Sequence, residues 1–199
     1  ADYINEAIKL GFTEIGMSDH APNPLMTDTH VRMDSKDFNL YLRDIDDAIK
    51  TYGHQISIKK GVEVEYFNNH ETYYDHLMKD LDYMILGQHY ISKTRDMNNL
   101  QSCFALKTKE EILLYSDYLI EGMETKRFKI IAHPDLYMCG YKDFDETAIE
   151  IAHRIGKAAE ETGVILEFNA NGYRKRKQHT PQGLQYPYPR LEFWDIVKD

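Results

Sequence analysis

Residues 146–168 read ETAIEIAHRIGKAAEETGVILEF, and this stretch indicates the fold class. Apolar residues recur at helical spacing as far as residue 162, and Gly163 can then end the helix with a left-handed C-cap. The run that follows, residues 164–168, is short and apolar, as is typical of a buried strand. A helix that leads through a glycine into a strand is the repeating element of a parallel α/β sheet.

The same alternation of helix and strand runs through the rest of the chain. A helix that begins at Ser35 as N-cap and another that begins with the capping box of Thr108 and Glu111 are the clearest. Further helices are predicted at residues 2–10, 70–79 and near 190, and strands at residues 12–17, 56–66, 81–86 and 128–132. Five evenly spread strands favour a β/α barrel, with a doubly wound open sheet as the alternative.

Length and composition limit the function. With 199 residues, of which 42% are hydrophobic, the chain predicts a single domain over residues 1–199. The net charge of −9 argues against nucleic acid as a partner, because the phosphate backbone would be repelled. The basic run at 174–177 is expected to be either a solvated loop or an anion contact near a site. Because the two cysteines are few and far apart, we expect a cytoplasmic protein. Because no apolar segment is long enough to span a bilayer, we expect no membrane partner. The oligomeric state is not predicted.

Residues that can bind a metal follow each predicted strand. They are Asp19-His20, Glu63 with Glu65, His89, His133-Pro134-Asp135, and Asn169. In a parallel barrel the carboxyl ends of the strands converge on one face, so these side chains are expected to lie close together. Imidazole and carboxylate ligands without clustered thiolates suit catalytic zinc, iron or manganese better than a structural zinc site.

The remaining histidines are less informative. His54, His70, His76 and His153 are expected to be structural or solvated. His30, in the polar loop between residues 24 and 35, and His179 are in loops from which they could reach the site.

Several motifs resemble, in order and spacing, those of the polymerase and histidinol phosphatase (PHP) superfamily. They read MSDHAP at 17–22, GVEVEY at 61–66, GQH at 87–89 and AHPD at 132–135. The motifs LEFN at 166–169, GYRK at 172–175 and YP at 188–189 narrow the resemblance to the histidinol-phosphate phosphatase branch. The resemblance covers nearly the whole chain.

The resemblance implies a distorted seven-stranded, TIM-like (β/α)7 barrel with up to three divalent metals. It implies His20, Glu63, His89 and His133 as ligands, with Glu63 bridging, and Glu65 is a lower-ranked candidate because the family has aspartate there. Substrate-phosphate binding is assigned to Arg174, whose guanidinium fits phosphate bidentately, and to Asn169; Asp19 and Asp135 are the candidates for orienting imidazoles or moving protons.

Two features of the family are absent from this sequence. The family opens with a strand that carries His-x-His, and no such pair occurs in this sequence; it closes with an Asp-x-His after its last strands, and none follows the last predicted strand here. We therefore expect the first and last strands to be missing. We also expect the chain to begin inside a longer protein, because Ala1 leads directly into a helical pattern.

The resemblance implies hydrolysis of L-histidinol phosphate, a step of histidine biosynthesis, whereas the residues alone indicate only metal-dependent hydrolysis. One alternative is a phosphoesterase that acts on another small phosphate ester. The other is a non-catalytic module that keeps the fold but binds metal poorly.

Overall fold

The computed structural model describes residues 1–23, 26 and 30–198, and its regular elements are helices alternating with strands. The helices are α1 (Asp2–Lys9), α2 (Phe38–Tyr52), α3 (Glu71–Leu77), α4 (Lys109–Glu124), α5 (Glu146–Thr162) and α6 (Leu191–Val197). The strands are β1 (Glu14–His20), β2 (Ser57–Val64), β3 (Tyr83–Leu86), β4 (Tyr90–Ile91), β5 (Gln101–Ser102), β6 (Ile130–Ile131), β7 (Ile165–Leu166), β8 (Gln178–Thr180) and β9 (Gly183–Gln185).

Five strands form one sheet in the order β1-β2-β3-β6-β7, and a helix lies between each of these strands and the next along the chain. The pair β1 and β2 is parallel, and so is the pair β6 and β7. The α/β class with a parallel central sheet is thus confirmed. Closure into a distorted (β/α)7 barrel stays a prediction.

The chain divides into two compact units, Ala1–Val64 with Glu71–Ile85 and Glu65–His70 with Leu86–Asp199. This division does not test the prediction of a single domain. None of the helices in the described ranges has the length and apolar character needed to cross a bilayer.

In the first unit, the apolar faces of two helices pack on one strand. Ile4 and Ala7 of α1 lie against Ile45 of α2, and the cluster includes Ile56, just before β2, and Ile58 within β2. Burying an isoleucine side chain stabilises the fold by about 1.5–3 kcal/mol, so this cluster fixes both helices on β2.

Tyr83 of β3 lies over two glycines of neighbouring strands in the same unit. A Cβ atom at Gly16 of β1 or at Gly61 of β2 would overlap the tyrosine ring. Because the ring fills this space, both positions require glycine for as long as tyrosine occupies position 83.

In the second unit, local sequence sets the ends of the two long helices. Thr108 and Glu111 form the predicted capping box at the start of α4. Asp145 caps α5, and Gly163 ends it with φ = 76°, the predicted left-handed conformation. Arg154 of α5 ties the two helices together through Asp117 of α4, at 2.6 Å.

Some boundaries differ from the prediction. β1 runs on to His20, so Asp19 and His20 end the strand and do not follow it. Ser35 is not the N-cap; it begins a short 3-10 turn that is capped by Asp34, whose carboxylate accepts from the N–H of Lys36 at 3.2 Å. Aspartate is as good a cap as serine and stands one residue earlier.

Two small antiparallel pairs, β4 with β5 and β8 with β9, were not predicted. Strands of two or three residues are too short to show a periodic pattern. Residues 24, 25 and 27–29 of the predicted polar loop lie outside the described residues.

Candidate metal centre

The carboxyl ends of β1 and β2 place His20 beside Glu63. The two residues are direct partners in the parallel register, and the backbone N–H of Ala21 donates to the carbonyl oxygen of Glu63 at 2.8 Å. Both side chains are half-buried. Neighbouring strands lie about 4.8 Å apart, so this edge of the sheet presents an imidazole and a carboxylate side by side.

A tyrosine from α2 holds the same edge. The hydroxyl of Tyr41 donates to the carbonyl oxygen of Gly61 at 2.7 Å and accepts from the backbone N–H of Asp19 at 3.3 Å. Burial raises the pKa of Tyr41 to about 12, so the hydroxyl keeps its proton. The last residues of β1 and β2 are therefore fixed from the helix side.

In the second unit, the buried amide of Gln88 aligns two chain segments. Its Oε1 accepts from the backbone N–H of Tyr66 at 2.9 Å, and its Nε2 donates to the carbonyl oxygens of Tyr66 at 3.1 Å and Tyr90 at 2.6 Å. These three bonds replace the backbone bonds of a β-ladder. They set the segment after β2 against the segment after β3.

This alignment brings Glu65 to His89. Oε1 of Glu65 lies 3.2 Å from Nδ1 of His89, and the carboxylate is 1% exposed. An ionised Glu65 can only accept hydrogen bonds, so with this partner Nδ1 is the donor and Nε2 is the imidazole atom left to bind a metal. Glu65, predicted as a lower-ranked ligand, thus has a contact that orients a ligand.

His133 follows β6 with an unusual backbone. Its φ of 33° lies in the left-handed region, which costs a non-glycine residue about 1–3 kcal/mol. The backbone N–H donates to Oε2 of Glu167 at 3.3 Å, and the carbonyl oxygen accepts from the hydroxyl of Tyr115 at 3.4 Å. Its ring centroid lies 5.0 Å from that of His89. These contacts hold the strained residue with its imidazole beside His89.

The first unit thus presents the imidazole of His20 beside the carboxylate of Glu63, and the second presents the imidazoles of His89 and His133 side by side. Imidazoles and carboxylates are donors that hold divalent transition metals in catalytic sites. The donor set therefore fits a divalent ion.

The two predicted catalytic aspartates have backbone partners. Oδ1 of exposed Asp19 accepts from the N–H of His20 at 2.8 Å. Asp135 is fully buried, and its Oδ2 accepts from the N–H of Arg190 at 2.6 Å. Burial raises the pKa of Asp135 to about 6. Both carboxylates fix the chain next to a predicted ligand, and their catalytic roles stay predictions.

The two residues predicted to bind phosphate differ in their surroundings. Asn169 donates from Nδ2 to Oε2 of Glu167 at 3.0 Å, and so lies one side chain away from the backbone of His133. Arg174 ends the 3-10 turn Ala170–Arg174 and is exposed. Among the residues that the structure describes, it makes no hydrogen bond or ion pair.

Several residues of this region were missed by sequence reasoning. Glu167 directly follows β7 and belongs to the motif LEFN at 166–169. Its position at a strand end could have marked it as a candidate site residue. The rings of Phe104 and Tyr188 contact the two histidines, and Lys175 contacts both rings. Sequence spacing carries no signal for these contacts.

The other histidines lie mostly as predicted. His54, His76 and His153 are exposed, as are His30 and His179. His70 is half-buried, and its ring lies 6.0 Å from the ring of Phe67.

Comparison with known families decides where the chain belongs. A family model described as the PHP domain matches residues 1–171, most of the chain. The chain belongs to the PHP family. The motifs at the carboxyl ends of β1, β2, β3 and β6 fall within this PHP match.

Curated PHP relatives are similar over most of their length. The histidinol-phosphatase of Bacillus subtilis strain 168 is 28% identical over an alignment of 199 positions, which covers 87% of this chain and 74% of the relative. A protein of Schizosaccharomyces pombe, also assigned as a histidinol-phosphatase, is 24% identical. That alignment covers 98% of this chain and 69% of the relative.

Two solved structures share the PHP fold. A structure assigned as a histidinol phosphatase of Listeria monocytogenes superposes with a TM-score of 0.69 at 18% identity, over 98% of this chain and 82% of the other. A histidinol phosphate phosphatase of Lactococcus lactis, solved with zinc, L-histidinol and phosphate, superposes with a TM-score of 0.65 at 20% identity. The superposition covers 87% of this chain and 67% of the other.

Proposed function

We propose that this PHP protein is a metal-dependent phosphomonoesterase that hydrolyses L-histidinol phosphate to L-histidinol and phosphate in histidine biosynthesis. The observation that carries the proposal is that, within a PHP domain, His20 lies beside Glu63 in one unit and His89 beside His133 in the other. The names of the two curated relatives support the choice of substrate.

In this proposal His20, Glu63, His89 and His133 hold divalent ions, zinc, iron or manganese, up to three in number. The mixed imidazole and carboxylate donors support a catalytic rather than a structural site. His133 is included because its ring lies beside that of His89. The zinc in the Lactococcus lactis structure supports zinc in particular.

Bound divalent ions would supply Lewis acidity toward the phosphoryl group and a water of lowered pKa. The protein's own side chains would orient the ligands and neutralise the charge of the substrate phosphate. Glu65 keeps the imidazole of His89 in one tautomer, and Asp19 and Asp135 fix the backbone beside His20 and His133. Arg174 and Asn169 would bind the substrate phosphate, since a guanidinium and an amide can both donate to its oxygens.

The wider predictions also stay proposals. We infer a small-molecule phosphate ester as substrate, with no nucleic acid partner, because the net charge is −9. A cytoplasmic location and one domain over residues 1–199 are proposed on the same composition. The two cysteines, Cys103 and Cys139, are free thiols in the structure, which is compatible with a reducing compartment.

Phosphate release from L-histidinol phosphate by the purified protein tests the function. With added zinc or manganese we expect kcat/KM on the order of 10⁴ M⁻¹s⁻¹ or higher, in the range usual for enzymes on their own substrates. Glycerol phosphate, phosphoserine and p-nitrophenyl phosphate serve as comparison esters. A chelator should abolish turnover, and metal should restore it. Equal rates on all four esters, or turnover that resists chelation, would contradict the proposal.

A further inference from the structure

The basic run Arg174-Lys175-Arg176-Lys177 is exposed along its whole length, but its four charges do not share one environment. Nζ of Lys175 lies 5.9 Å from the ring centroid of Phe104 and 6.0 Å from that of Tyr188. An ammonium at about 6 Å from an aromatic face is attracted by the electrons of the ring. Lys175 is therefore held between two rings that come from distant parts of the chain.

Each of these rings contacts a predicted metal ligand. Phe104 is stacked on His89, with centroids 6.1 Å apart and ring planes at 15°. Tyr188 meets His133 edge to face at 6.2 Å. The two imidazoles are themselves 5.0 Å apart. Each ring that Lys175 contacts is thus itself in contact with one of the two imidazoles.

A third observation places the charge of Lys175 on the same side. Burial raises the pKa of the Cys139 thiol to about 12, and the positive charge of Lys175 acts in the opposite direction. Cys139 ends the 3-10 turn Leu136–Cys139 that directly follows the His133 motif. The ammonium therefore acts on the loop next to His133.

Lys177, two residues further along, is a natural comparison. Its Nζ lies 4.8 Å from the ring centroid of Tyr186, a residue that contacts Tyr173 and neither predicted ligand. The same side chain in the same loop is thus held on a different aromatic group. Position in the fold, and not the presence of charge, distinguishes the two lysines.

We propose that Lys175 binds the phosphate of the substrate, as a cation held by Phe104 and Tyr188, the two rings that contact His89 and His133. The inference rests on the proposed function and adds a residue to it. A lysine ammonium is a compact charge with three donors on a flexible stem, so it can follow a phosphate through binding and release. The two rings reduce the conformational freedom that the side chain loses when an anion binds.

Phosphate binding to the metal-loaded protein tests Lys175 without any turnover. Lys175→Met keeps a long apolar stem between the rings and removes the charge, and Lys177→Met is the matched control. By titration calorimetry with inorganic phosphate, we expect Lys175→Met to weaken binding about tenfold, since a charge-assisted bond is lost. Lys177→Met should change it by less than about twofold. Lys175→Arg should restore most of the affinity.

Metal content and the unfolding midpoint are measured alongside, because a purely structural lysine would shift them and this one should not. Unchanged phosphate affinity in Lys175→Met, or an equal loss in Lys177→Met, would overturn the proposal. If the wild-type protein binds phosphate through Lys175 but does not hydrolyse L-histidinol phosphate, the proposed function fails and the assignment of Lys175 stands. If the protein hydrolyses L-histidinol phosphate and Lys175→Met leaves KM unchanged, the proposed function stands and the assignment of Lys175 fails.

Discussion

The carboxylate of Glu65 lies 3.2 Å from Nδ1 of His89 and is almost completely shielded from water. A buried carboxylate in this position makes the imidazole a stronger ligand and fixes its orientation. Glu65→Gln keeps the shape but loses the negative charge. We expect its metal affinity to fall about 10–100-fold, measured by competition with a chromophoric chelator.

Glu124→Gln, at the exposed end of α4, is the control for Glu65→Gln and should leave metal affinity unchanged. If both variants bind metal as tightly as the wild type, Glu65 does not support His89 in metal binding.

His133→Asn should separate the ligand role of His133 from its backbone role. Asparagine tolerates the left-handed conformation found at φ = 33°, but it lacks the imidazole. We expect the variant to fold with nearly wild-type stability and to lose metal and phosphatase activity. His133→Ala should also be destabilised, by about 1 kcal/mol relative to asparagine, since alanine resists this conformation. Retained metal content in His133→Asn would remove His133 from the ligand set.

Gln88→Leu should destabilise the fold and disturb the site together. The substitution removes three hydrogen bonds and leaves backbone groups of Tyr66 and Tyr90 without them. We expect the free energy of unfolding to fall by about 2–4 kcal/mol in a urea titration, and metal affinity to fall as well. Gln55→Leu, at an exposed position, should stay within about 0.5 kcal/mol of the wild type. A loss of stability with full metal affinity would show that Gln88 does not position His89.

Glu111 should contribute a pH-dependent part of the stability. Burial acts to raise its pKa, but hydrogen bonds from the N–H groups of Lys107 and Thr108 and from the side chains of Gln101 and Lys93 lower it to about 2. A carboxyl with a lowered folded-state pKa stabilises the protein above its ordinary pKa of about 4.5, and this contribution is lost as the pH falls toward 2.

Glu111→Gln should therefore be less stable than the wild type at pH 7 by about 1–2 kcal/mol, and the two should converge near pH 2. Urea titrations at several pH values measure this, provided that the metal state is held constant with a chelator. A difference in stability that stays constant from pH 7 to pH 2 would contradict the assigned pKa.

The sequence was sufficient for elements whose ends are set locally. The capping box of Thr108 and Glu111 and the left-handed Gly163 act within a few residues, so the pattern alone predicted where α4 begins and α5 ends. The alternation of these helices with apolar runs was enough for the parallel sheet. Ser35 shows the limit, because Asp34, one residue earlier, takes the capping position and accepts from the N–H of Lys36.

For the site, the sequence predicted which residues stand at strand ends but not how they pair. That His20 lies opposite Glu63 depends on strand register, and the register depends on packing between distant segments. The partner of His89 follows from the buried amide of Gln88, which has no sequence signature. Likewise, the sequence does not distinguish the four adjacent basic residues 174–177. Only the fold shows that Lys175 contacts the rings of Phe104 and Tyr188.

The ring of Tyr83 has a consequence for how this sequence can diverge. Because it occupies the space above Gly16 and Gly61, neither glycine can gain a side chain while tyrosine stands at position 83. Among descendants of this chain, a side chain gained at position 16 or 61 should appear together with a smaller residue at 83. An alignment of close orthologues should therefore show these columns covarying, although none of the three residues is a predicted ligand.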